Sequence, residues 1–134
     1  MQLKTFLKQY GERTTTNFDL SNIGRELGLK LKVIMRDELK KTKKECIIMN
    51  LQTTHQKGSH WVCIYKQEVY FDPYGIVPPK EVFAFMNNDF KYNTMQVQPD
   101  NSTMCGQLCL FLLYKLSKGY SFEDVVLMMY DYMN

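Results

Sequence analysis

Apolar residues recur at helical spacing near both ends of the chain and at strand-like spacing between them. Leu3, Phe6, Leu7 and Tyr10 share one side of a helix that Gly11 ends. After the polar break at residues 14–17, Leu20, Ile23 and Leu27 repeat with the same period. Asp19 or Ser21 caps that segment and Gly28 closes it. From Lys32 the pattern changes. KVIM predicts a short strand, RDELKKTKKE a charged loop, and the branched apolar run 46–51 a buried strand. The loop QTTHQKGS leads to two β-rich runs, HWVCIYK and EVYFD, close enough in sequence to form a hairpin. PYGIVPP is turn-rich, Pro79 opens a helix carrying Val82, Phe83, Phe85 and Met86, and YNTMQVQ alternates like another strand.

That strand delivers Gln98 to the stretch QPDNSTMCGQLCLFLLYKLSKG. A polar loop runs into Cys105 and Gly106, and Leu108, Leu110, Phe111, Leu112, Leu113 and Leu116 follow almost without interruption. The pattern is that of a helix buried on most sides with a cysteine in its first turn. SFEDVVLMMYDYM adds a final amphipathic helix capped by Ser121. A helix start exposes unpaired backbone N–H groups and a partial positive charge, which favours a thiolate over a thiol. Cys105 is therefore a candidate nucleophile, although a lone cysteine is more often a small buried hydrophobe. Its context decides between the two.

The hairpin supplies that context. With Tyr65, Lys66 and Gln67 as its loop, Ile64 faces Glu68, Val62 faces Tyr70, and His60 faces Asp72. Directly opposite side chains lie on one face about 5 Å apart, so a carboxylate meets an imidazole. The other face carries Trp61, Cys63, Val69 and Phe71, an apolar set suited to a core. A two-residue loop would shift the pairing by one.

The chain order is thus His60, Asp72, Gln98, Cys105. Acyl transfer by cysteine needs a thiolate, an imidazole that takes and returns its proton, a group that fixes the imidazole, and donors for the oxyanion. Cys105, His60 and Asp72 fill the first three roles. The Gln98 amide and the Cys105 backbone N–H fill the fourth. A zinc site from Cys46, His55, His60 and Cys63 fits no ligand spacing, and strand alternation separates His60 from Cys63, so neither a metal nor a cofactor is expected.

Composition narrows the setting. The chain has 134 residues, 45% apolar and 23% charged, which suits one globular domain spanning 1–134. No apolar run approaches the ~20 residues of a membrane span, and the first residues lack a signal-peptide core. Four cysteines embedded in apolar segments fit a reducing compartment, so a soluble, intracellular, membrane-free protein is expected, most simply a monomer. The net charge is +3. Lys40, Lys41, Lys43 and Lys44 crowd one loop, which reads first as a solvated turn and only weakly as a nucleic-acid contact.

Three blocks, ECIIMNLQTTHQKGSHW, YFDPYG and QPDNSTMCGQLC, together resemble the adenovirus proteinase (adenain) and its relatives in viruses and virus-like DNA elements, within the broader group containing the ubiquitin-like-protein proteases. The resemblance implies an α+β fold in which a mixed, mostly antiparallel sheet packs against the central cysteine helix, with flanking helices. It implies the same roles for Cys105, His60, Asp72 and Gln98. It also implies a cysteine endopeptidase that processes viral capsid precursors during virion maturation, in the infected cell or packaged in the virion. Cleavage would follow small residues such as glycine, with Trp61 and Gly106 as substrate-binding candidates. An isopeptidase acting on ubiquitin-like modifiers, an acyltransferase on the same scaffold and a non-catalytic binding module are the alternatives. The acid is aspartate, as in the ubiquitin-like-protein proteases, where the adenovirus enzyme has glutamate. No cysteine between Cys63 and Cys105 matches the anchor of that enzyme's activating peptide. Activation by a peptide or by DNA is carried over by analogy only.

Overall fold

A computed structural model describes residues 1–11, 13–54 and 60–134. The part of the expected loop at 55–59, including His55, lies outside the described residues. Two helices, α1 (Leu3–Tyr10) and α2 (Asn17–Glu26), precede strand β1 (Leu31–Met35). A 3-10 helix (Arg36–Lys41) leads to β2 (Cys46–Asn50), and the hairpin β3 (Trp61–Tyr65) and β4 (Val69–Phe71) follows. Then come α3 (Lys80–Phe85), the two-residue β5 (Lys91–Tyr92), α4 (Cys105–Ser117) and α5 (Phe122–Met133). Among the described residues, no helix is long and apolar enough to cross a membrane.

The strands form one mixed sheet in the order β1-β2-β3-β4-β5, antiparallel through β2, β3 and β4 and parallel at each edge pair. All five residues of β2 are buried because both faces of the sheet are covered. Cys46, Ile48, Trp61, Cys63 and Phe71 join the core built on α4, whose side chains are apolar nearly all round. Ile47, Met49, Val62, Ile64 and Tyr70 alternate with them and pack on Leu39, Val82 and Met86. The fold is therefore α+β, with the cysteine-bearing helix laid on one face of a mixed sheet.

Local chemistry departs from the sequence reading at four places. The cap of α2 is Thr16, not Asp19 or Ser21. Its hydroxyl accepts the Asp19 N–H at 3.1 Å while the Asp19 carboxylate accepts the Thr16 N–H at 2.9 Å, and this reciprocal pair satisfies two end donors at once. The charged loop begins with a helical turn anchored by buried Leu39, although Lys40, Lys41, Lys43 and Lys44 are exposed as expected.

The hairpin register differs by two residues. Cys63 faces Phe71, Ile64 faces Tyr70 and Tyr65 faces Val69. Lys66 and Gln67 both adopt left-handed φ, which closes a turn from the Glu68 N–H to the Tyr65 carbonyl and leaves Glu68 in the loop. A slip of two keeps every side chain on its face, so apolar alternation could not distinguish the registers. Finally, only Lys91 and Tyr92 of the expected strand 92–98 and its approach pair with β4. Beyond them the chain follows the turn after Asp72 instead.

Candidate active site

Helix α4 begins at Cys105, and its first backbone bond runs from the Leu108 N–H to the Met104 carbonyl. The N–H groups of Cys105, Gly106 and Gln107 therefore have no partner within the helix. Cys105 opens onto a cleft of about 570 Å³ that is also lined by His60, Trp61, Tyr74, Gln98 and residues 14–17. The cleft thus brings together three of the four residues the sequence singled out, His60, Gln98 and Cys105, and Asp72 joins them through its bond to His60.

His60 stands just before β3, and its Nε2 lies 2.7 Å from Asp72 Oδ1. The pair is diagonal across the hairpin rather than directly opposite, and the end of the strand gives the imidazole the freedom to reach. Asp72 engages Nε2 and so leaves Nδ1, and the Cys105 thiol lies close enough to the ring to raise its proton affinity. The His60 side chain is 14% exposed and that of Asp72 1%. Burial alone would lower the imidazole's affinity for a proton, but the hydrogen bonds and charges of Asp72 and Cys105 outweigh it and raise His60 to about 9. Burial pushes Cys46 up to about 12 and Cys109 well above the ordinary thiol range, so both remain thiols.

Asp72 is held on several sides. Its Oδ1 also accepts the Tyr74 N–H at 2.8 Å, and its carbonyl accepts the Gly75 N–H at 2.8 Å. The Asn93 side chain meets its main chain twice: Oδ1 accepts the Asp72 N–H at 3.0 Å and Nδ2 donates to the Asp72 carbonyl at 2.7 Å. Gly75 is required there. Its φ is +69°, and a Cβ would stand 2.8 Å from the carbonyl oxygens of Thr94 and Met95.

Gln98 reaches the cleft along the same segment. The Pro73 carbonyl accepts the N–H groups of both Val97 and Gln98 at 2.9 Å, which locks the strand-end turn to the glutamine. The buried Gln98 side chain donates from Nε2 to the Ser102 carbonyl at 2.8 Å, and the amide has a second N–H to give.

Residues 14–17 form a strap over the start of α4. Trp61 Nε1 donates to the Thr15 carbonyl at 3.3 Å and Gln107 Nε2 to the Arg13 carbonyl at 2.5 Å. Gly106 lies beneath the strap. A Cβ there would strike the Thr15 hydroxyl and come within 2.8 Å of Leu20, so the missing side chain faces the strap and not open space. Trp61 and Thr15 border the same cleft as Cys105. Tyr74 and Asn93 escaped the sequence reading. Tyr74 sat in a quoted turn with no role attached, and Asn93 lay in a run read as strand, where nothing marks a side chain that replaces a ladder bond.

Neither a family model nor a curated protein matches the chain. Among solved structures, the fold is similar to that of the ASFV pS273R protease, in its selenomethionine form, with a TM-score of 0.58 and 14% identity. The match covers 90% of this chain and 66% of that one, so the chain spans just under two thirds of the protease's length. The likeness is one of fold: the arrangement of sheet and helices is similar to that of this protease.

Proposed function

We propose that the protein is a cysteine endopeptidase. The observation that carries this reading is the Asp72–His60 pair, 2.7 Å apart, set beside the Cys105 thiol at a helix start in one cleft. With the proton of the Cys105–His60 pair resting on the imidazole, the Cys105 thiolate attacks the carbonyl carbon of the scissile bond. The negative charge that develops on the carbonyl oxygen is met by the Cys105 backbone N–H and the Gln98 amide. His60 then gives its proton to the leaving amine as the C–N bond breaks, which leaves a thioester. Water, deprotonated by His60, attacks that thioester, and the acid is released as the thiolate leaves, which restores the Cys105–His60 pair. Asp72 holds the imidazole of His60 in place through the cycle and keeps it turned toward Cys105. The chemistry uses side chains and backbone alone, so no cofactor is invoked.

For the substrate, the reading is a viral structural precursor cut after a small residue such as glycine. Two things support it: the similarity in fold to a viral protease, and the bond between Trp61 and Thr15 that draws two walls of the cleft together beside Cys105. The test is mass spectrometry of capsid precursors incubated with wild-type protein and with Cys105→Ala. Fragments with new ends after glycine, seen only with the wild type, are the expected result. Equal cleavage by Cys105→Ala refutes the assignment.

A further inference from the structure

Asn93 follows directly on β5, whose pairing with β4 runs through Val69 with Lys91 and Tyr70 with Tyr92. At the next step the ladder stops, and the Asn93 side chain takes over the work of a neighbouring backbone. An amide side chain carries one acceptor and one donor group in a plane, as a peptide unit does. Asn93 uses them on the N–H and the carbonyl of Asp72, at 3.0 and 2.7 Å, and shares a further Nδ2 contact with the Met95 carbonyl at 3.1 Å. The residue is 7% exposed and Asp72 is 1% exposed, so water cannot readily substitute for these bonds. Its third contact folds the 93–98 segment back along the turn after Asp72, the same segment that delivers Gln98 to the Pro73 carbonyl.

From this geometry we infer that Asn93 is a positioning residue, whose side chain fixes the main chain of Asp72 and so the angle at which its carboxylate meets His60. The inference rests on the protease reading for its kinetic meaning only. Asn93 does not reach the cleft. It acts through Asp72, which has a short side chain and no slack with which to recover a displaced backbone.

The groups facing His60 among the described residues are Asp72, Cys105 and the Tyr74 ring. Loosening the Asp72 contact should therefore show directly in the imidazole. The experiment is NMR titration of the His60 ring in wild-type protein and in Asn93→Ala, alongside a thermal melt and steady-state kinetics on a cleaved peptide. In the variant the midpoint should fall from about 9 toward the ordinary 6.5, by about one pH unit or more. kcat should drop about tenfold with KM little changed, and the alkaline limb of kcat should move down with the titration. A folded Asn93→Ala with an unmoved His60 midpoint overturns the inference, whatever the kinetics show. If that variant does not fold, Asn93→Ser carries the same test, because it stays small, polar and uncharged but cannot serve the Asp72 N–H and carbonyl together. Were the wild type to cleave nothing, the protease reading would fail while the titration still decided the role of Asn93.

Discussion

The rings of His60 and Tyr74 lie stacked, with centroids 4.5 Å apart and planes 23° from parallel. The backbone N–H of the same tyrosine holds Asp72 Oδ1 at 2.8 Å. One residue thus fixes the acid with its main chain and covers the base with its side chain. Tyr74→Ala removes only the second function. It should lower kcat about tenfold, because the imidazole gains a freedom of rotation that proton transfer does not tolerate, while Tyr74→Phe stays near wild type. Steady-state kinetics on a single peptide separates the two variants.

The raised proton affinity of His60 makes a prediction about stability. The folded protein binds this proton more tightly than the unfolded chain, so the contribution is complete below pH 6.5 and disappears as pH rises through about 9. The whole effect is on the order of 3 kcal/mol. Denaturant unfolding of wild type and of His60→Gln should accordingly show a gap that is widest near pH 6 and narrows by pH 10. A constant gap would mean that His60 is not charged in the folded protein.

Gly106 and Thr15 should be coupled. Gly106→Ala drives a methyl group into the Thr15 hydroxyl and Leu20, at a cost of about 1–3 kcal/mol. Among the described residues Thr15 Oγ1 is buried without a hydrogen-bond partner, so Thr15→Ala by itself should cost little. The double variant should recover part of the loss, and thermal melts of the four proteins measure that non-additivity. Strict additivity would mean that the strap does not press on the helix start.

If the Gln98 amide meets the oxyanion, Gln98→Ala should lower kcat by about a hundredfold or more and leave KM nearly unchanged. A rise in KM alone, read in the same assay, would assign Gln98 to substrate binding.

The residue pattern by itself determined the elements whose physics is local. The apolar run after Cys105 has no polar face to expose, so it could only be a buried helix, and Ser121 and Gly11 mark ends that the structure keeps. Strand alternation sorted Trp61, Cys63, Val69 and Phe71 to one side of the hairpin because side-chain direction has a period of two. The same period hid the register, since pairings that differ by two residues bury the same side chains, and it was the left-handed pair Lys66 and Gln67 that chose between them. The supports of the site were equally out of reach. That Asn93 grips Asp72, that Pro73 anchors Gln98 and that Thr15 rests on Gly106 are contacts between segments distant in sequence. No local propensity encodes such contacts. They follow from where the packed sheet and helices bring the chain past itself.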